Sequence, residues 1–259
     1  MATESGQAGV AASEDAVLGG RLVMRQPVRG HRFGHDAILL AAATAAVPGE
    51  RVVELGAGVG AAGLALARRV GGAVVTLIEV DPALAALAGE NAARNNLADR
   101  VRAICLDVAA PAAAFAAAGL APASVDRVLM NPPFNAPQNP SPDHGRRLAH
   151  TALQETLGQW LGTAARLLRP SGVVTLIWRA DGLGDVLGTL ASGFGAISIL
   201  PIHPKPNAAA IRVLVRAAKE QRAPLKLHHG LVLADADGKP TAQAEAVLRD
   251  GATLVLAGN

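Results

Sequence analysis

The chain has 259 residues but a single cysteine, Cys105, no tyrosine, and only 2% aromatic residues. One cysteine excludes a disulfide framework and a multi-cysteine zinc site, and it fits a reducing cytosol. With so few aromatics, Phe33, Phe134, Trp160 and Trp178 stand out, whereas Phe115 and Phe194 sit in apolar context and read as core. No apolar run spans a membrane without a glycine or a charge. Met1–Ser13 is small and polar and lacks the apolar stretch of a signal peptide. A cytoplasmic protein with no membrane partner is expected. Acids are missing from one stretch: between Val17 and His35 stand Arg21, Arg25, Arg29, Arg32 and two histidines, with no carboxylate. Lys205, Arg212, Arg216, Lys219, Arg222 and Lys226 face only Glu220 in a second basic stretch, although the net charge is +3. Basic segments beside a nearly neutral core point to a polyanion partner. An ordinary solvated surface produces the same runs.

At 51% apolar, the chain can bury a substantial core. Apolar runs at Arg51–Leu55, Val74–Val80, Val101–Leu106, Val125–Met130, Val173–Trp178, Ile197–Ile202 and Ala210–Ala217 predict strands. Helical patterns at Ala61–Val70, Pro82–Asn95, Pro111–Ala118 and Leu148–Leu168 separate the first five. Near-continuous apolar strands with crossover helices imply an α/β fold, a parallel sheet covered on both faces. The last two strands are joined by too short a segment for a crossover and should pair antiparallel. Outside this core, Leu18–Pro27 reads as a short strand or hairpin and His35–Ala46 as a helix. Asn135–Gly145 reads as a proline-rich loop. Beyond Pro224 come a strand (Leu231–Ala234), an Asp237-Gly238 turn and a helix (Ala242–Asp250).

Asn131-Pro132-Pro133-Phe134 follows the fourth apolar strand. Such a loop suits the methylation of a planar, weakly nucleophilic nitrogen. Two acceptors aimed at its N–H bonds, the Asn131 side-chain oxygen and the Pro132 carbonyl, favour a pyramidal, attacking nitrogen. The prolines stiffen the loop, and Phe134 can stack on the substrate plane. The plain alternative is a strand ending in a proline-rich turn.

Val53 to Gly60 ends the first core strand and opens a helix. Its glycines permit close backbone approach to a ligand, and the helix start presents free N–H groups. Gly58 to Gly63 also satisfies the dinucleotide fingerprint, so a nicotinamide-dependent oxidoreductase is an alternative. The register argues against it, because the turn begins at Gly56, directly after the strand. Glu54, two residues earlier, suits a cationic ammonium and would repel a pyrophosphate. Glu79 is placed to accept from ribose hydroxyls. Asp107 can accept from an adenine amino group while the Val108 N–H donates to a ring nitrogen. These positions fall at strand carboxyl ends, where open α/β sheets bind ligands.

Together these residues resemble class I S-adenosylmethionine-dependent methyltransferases, and most nearly the bacterial tRNA (adenine-N6)-methyltransferase family acting on valine tRNA. Gly19–Leu22, Gln26-Pro27 with Gly30–Leu40, Glu54–Gly60 with Glu79–Pro82 and Glu90-Asn91, and Asp126–Asn135 carry the likeness. The resemblance implies a Rossmann-like, seven-stranded, mostly parallel sheet with one antiparallel strand and helices on both faces. It implies S-adenosyl-L-methionine as cofactor, bound by Glu54, Gly56, Gly58, Gly60, Glu79, Asp107 and Val108, with Gln26 and Asp36 on the cofactor side. Asn131, Pro132 and Phe134 become the catalytic set. Arg21, Arg25, Arg29, Arg32, Arg146, Arg147 and Lys205 become contacts to tRNA. No metal is required. Residues 1–17 are expected as a disordered tail, 18–48 as a basic extension, 49–218 as the methyltransferase core and 219–259 as a C-terminal extension. Glutamine-N5 protein methylation and guanine-N2 RNA methylation are the neighbouring alternatives, since both use an Asn-Pro-Pro-aromatic loop. The first usually comes with a helical N-terminal domain, for which this chain has little room.

Overall fold

The computed structural model of the chain describes residues 12–29, 32–133 and 144–257, the last segment by backbone alone up to 152. In chain order the elements are β1 (Ala12–Val17), β2 (Leu22–Pro27), α1 (His35–Ala43), β3 (Arg51–Leu55), α2 (Ala61–Arg69), β4 (Val74–Glu79), α3 (Pro82–Arg94), β5 (Val101–Cys105) and α4 (Ala112–Ala117). There follow β6 (Val125–Met130), α5 (His144–Leu167), β7 (Leu168–Arg179), α6 (Leu183–Leu190), β8 (Phe194–His203), β9 (Arg212–Lys219), β10 (Lys226–Leu227), β11 (Leu231–Val232) and α7 (Ala242–Leu248).

The seven expected strands lie in the order β5-β4-β3-β6-β7-β9-β8, and β9 runs antiparallel to both its neighbours. Two-residue strands β10 and β11 extend the sheet along the outer edge of β8. Side chains alternate between two cores, as period-2 geometry requires. Val52, Leu77, Leu129 and Ile177 join the core that includes residues of α1, α2 and α3. Val53, Ile78, Met130 and Trp178 join the core that includes residues of α4, α5 and α6. Helix α6 was not foreseen, because Gly182, Gly184 and Gly188 weaken its pattern.

Residues 12–17, expected within the tail, form strand β1 instead, paired antiparallel to β2 from Ala12↔Pro27 to Val17↔Leu22. The polar composition misled because the strand's acids are partners: Asp15 pairs with Arg32 and Glu14 with Arg94, both at 2.8 Å. The other edge of β2 faces α3. Asn95 Oδ1 accepts from Val23 N at 2.9 Å, and Asn95 Nδ2 donates to Val23 O at 2.8 Å. Asn91 treats Arg25 the same way, at 2.7 and 2.9 Å. Four residues along a helix advance about 6.0 Å and two along a strand about 6.6 Å. Two asparagines one turn apart therefore stand in for a neighbouring strand. Among the described residues no helix is long and apolar enough to cross a membrane.

Candidate active site

The parallel strands end flush. Leu55 lies opposite both Ile78 and Met130, and Glu79 opposite Cys105. The loops that start at Gly56, Val80, Leu106 and Asn131 therefore leave the sheet side by side, bringing the glycine loop, Glu79, Asp107 and Asn131 to one edge.

Three loop glycines answer three different demands. A Cβ on Gly56 would lie 2.2 Å from the indole of Trp160, so this glycine exists to admit that ring from α5. A Cβ on Gly60 would meet Leu77 at 2.8 Å. Only Gly58, at φ +55°, faces open space within 4 Å. It is the position at which a ligand can approach main chain, and in this the loop fits an adenosine-bearing cofactor. Trp160 is half-buried and shapes the loop from beneath.

Glu79 holds the loop in place. Its Oε2 accepts from Gly58 N at 2.7 Å and its Oε1 from Asp81 N at 3.0 Å. A carboxylate has about four lone-pair sites, so acceptor capacity remains for a ligand hydroxyl. Asp81 caps α3 through Ala83 and Leu84, the helix start its Pro82 foretells. Asp107 is exposed and accepts from Ala109 N at 2.8 Å. The Val108 carbonyl is tied to Thr163 Oγ1 at 2.9 Å.

Glu54 does not line the open side. It is 5% exposed and accepts from Gly63 N at 2.7 Å, beneath the first turn of α2. Burial, with the charge of Glu79 adding, pushes its carboxyl up to about 8 against the Gly63 bond. Gln26 and Asp36 are likewise engaged. Gln26, 4% exposed, donates to Asp15 at 2.7 Å and accepts from Phe33 N at 3.2 Å. Asp36 accepts from Arg212 Nε at 2.9 Å.

Asn131 Oδ1 is buried with no hydrogen-bond partner among the described residues. Pro132 beside it is buried and Pro133 exposed. Phe134 lies outside the described residues, as do the side chains of Arg146 and Arg147 and residues Gly30 and His31.

Two arginines of the expected basic surface are paired with acids, and a third is tied to main chain. Arg25 pairs with Glu90 at 2.8 Å, Arg32 with Asp15, and Arg21 donates to the Asp250 carbonyl. Hydrogen bonding from Gln26, then the charge of Arg32, holds the Asp15 carboxyl below its ordinary range. The run lacks acids only along the sequence; the fold supplies them from β1 and α3. Arg29 and Lys205 are exposed, with no side-chain hydrogen bond or ion pair among the described residues. Asn91, which carries part of the family likeness, proves structural. It is fully buried and, besides Arg25, donates to Val59 O inside the glycine loop at 3.1 Å.

This strand order, with its glycine turn and cradled acid at the carboxyl edge, defines a class I methyltransferase fold. Residues 34–200 match the methyltransferase small domain model, and the chain belongs to that family. It is an S-adenosylmethionine-dependent methyltransferase. It is 28% identical over 187 residues, 71% of this chain and 75% of the relative, to a tRNA1(Val) (adenine(37)-N6)-methyltransferase of Bacteroides thetaiotaomicron. A Porphyromonas gingivalis protein of the same name is 31% identical over 160 residues, 60% of this chain and 61% of that one. The crystal structure of a predicted O-methyltransferase from Agrobacterium tumefaciens superposes with TM-score 0.71 at 29% identity, covering 85% of this chain and 98% of that chain.

Proposed function

We propose that the chain methylates N6 of an adenine in tRNA, the anticodon-loop adenine of valine tRNA by similarity to the relatives so named. The observation that carries this reading is the Asn131 oxygen after β6, buried and without a partner among the described residues. Leaving such an acceptor unmatched costs roughly 1–3 kcal/mol, and an arriving N–H removes that cost. An exocyclic amine brings two N–H bonds, one for Asn131 Oδ1 and one for the Pro132 carbonyl. A hydroxyl brings one, which favours nitrogen over oxygen as acceptor.

S-adenosylmethionine supplies an electrophilic sulfonium methyl. The chain's own residues supply position. Gly58 gives way to the ligand, Glu79 accepts from the ribose, and Asp107 with the Val108 N–H reads the adenine ring. Glu54, Gly56 and Gly60 act one layer below by fixing the loop and the start of α2, while Gln26 and Asp36 brace the segment above it. The target base leaves its stack to reach Asn131, and Phe134 stacks on it. Arg29, Lys205, Arg146 and Arg147 contact the RNA backbone, with Arg21, Arg25 and Arg32 serving the fold first.

The test is incubation of purified protein with unmodified tRNA transcripts and S-adenosylmethionine, followed by nucleoside mass spectrometry. N6-methyladenosine is expected. Asn131→Ala should lower turnover about 100-fold, the scale of losing one preorganised hydrogen-bonding group, while S-adenosylhomocysteine affinity stays within twofold. A methyl group on guanosine, on a ribose hydroxyl or on a glutamine peptide overturns the proposal.

A further inference from the structure

The hairpin turn, α1, α2 and the segment after α7 line a half-open cavity of about 280 Å³. It lies at the far end of α2 from the glycine loop. That helix spans Ala61–Arg69, and its lining residues Ala65, Arg68 and Arg69 lie about 6–12 Å along the axis from Ala61 at 1.5 Å per residue. Leu18, Ile38, Ala41, Ala42, Ala65 and Val247 give it an apolar wall, and Arg21, Arg68 and Arg69 line it as well.

Among the described residues no carboxylate lines this cavity. The hydrogen bonds of its arginines go to main-chain carbonyls. Arg21 donates to Asp250, Arg68 to Asn95 at 2.6 Å, and Arg69 to Ala41 at 2.8 Å and Thr44 at 2.6 Å. Nearby Arg25, Arg32 and Arg94 are each paired with an acid. Each guanidinium offers five N–H donors, so Arg21 and Arg68, both exposed, keep most of theirs. Arg69 is half-buried, caps the end of α1, and has its affinity for a proton lowered by burial. An anion among three such cations gains charge-assisted bonds. The apolar wall offers contact without hydrogen bonding, which suits a planar or apolar body attached to that anion.

We infer that this cavity binds the phosphate of a nucleotide, with Arg21 and Arg68 on the phosphate and the base against Ile38, Ala41 and Ala42. The nucleotide is either free or one unit of an RNA strand. The site is separate from the methyl-acceptor reading and stands whether or not adenine is the target.

The probes are AMP and a transcribed tRNA, in calorimetry at low salt with S-adenosylhomocysteine saturating, so that the adenosine site is filled. One variant is Arg21→Gln with Arg68→Gln. A second, Ala252→Glu, sets a carboxylate at an exposed lining position and leaves the arginine bonds intact. AMP should bind wild type and bind each variant at least tenfold more weakly, with S-adenosylhomocysteine affinity unchanged. A parallel loss of tRNA affinity, with a salt slope flattened by roughly 1.5 units in the double variant, supports an RNA strand as the source. A loss confined to AMP supports a free nucleotide. Absence of AMP binding to wild type, or equal binding to all three proteins, overturns the site.

Discussion

Glu54 carries the largest electrostatic cost at the site, and its titration gives a signed prediction. In the folded chain its carboxyl keeps its proton to about 8, against an ordinary value of 4.5. Between those values the native state binds the proton and the unfolded state has lost it, so stability falls as pH rises through this window. By pH 7 the loss amounts to roughly 3 kcal/mol at 1.36 kcal/mol per unit. Glu54→Gln keeps an oxygen for Gly63 N and removes the titration. Denaturant midpoints from pH 5 to 9 should converge at low pH and favour the variant above pH 7; parallel curves would refute an elevated Glu54. Gly58→Val is a second residue-scale test. Its φ of +55° costs a branched side chain about 1–2 kcal/mol, and the new side chain enters the open space above the loop. The variant should fold, by circular dichroism, yet show no calorimetric binding of S-adenosylhomocysteine.

Among the elements, α3 joins the N-terminal hairpin to the glycine loop. Asn91 makes three hydrogen bonds from a fully buried site, two to Arg25 and one to Val59. Asn91→Ala leaves buried main-chain groups unmatched, at roughly 1–3 kcal/mol each. We predict a loss of about 3 kcal/mol in denaturant unfolding and weaker cofactor affinity. Unchanged cofactor affinity would show that the Val59 bond does not bear on the loop. The strands and crossover helices were legible because continuous apolar runs between helical patterns leave few alternatives. Strand β1 was not, because its polar sequence shows no apolar alternation and its acids find their partners, Arg32 and Arg94, only in the folded chain. The glycine motif was legible as a ligand loop. That Gly56 yields to Trp160 and only Gly58 to open space was not, because spacing alone does not say which neighbour approaches each glycine.

Over the whole molecule, charge pairing reshapes the expected basic surface. Five cations of the hairpin region, α3 and β9, among them Arg25, Arg32, Arg94 and Arg212, sit against acids. Exposed Arg29 and Lys205 remain the better candidates for phosphate. Replacing both with glutamine should flatten the salt dependence of tRNA binding by roughly 1.5 units through lost counterion release and spare cofactor affinity. Filter binding across a salt series reads this, and an unaltered slope would move the RNA contact elsewhere. The same series on Arg25→Gln, which also breaks the Glu90 pair, should show a smaller change in slope and a lower melting temperature.

The asparagine mimic of a strand also sets an order of events during synthesis. Val23 precedes its partner Asn95 by 72 residues, so at 5–20 residues per second the hairpin waits roughly 4–14 s for α3 to be made. Through that interval the outer edge of β2 is an unpaired template for other strands. Protease protection of Ala12–Pro27 on stalled ribosomes should therefore appear only after α3 has emerged. Codon-level slowing between the hairpin and Asn95 should raise aggregation of the newborn chain without altering the finished protein.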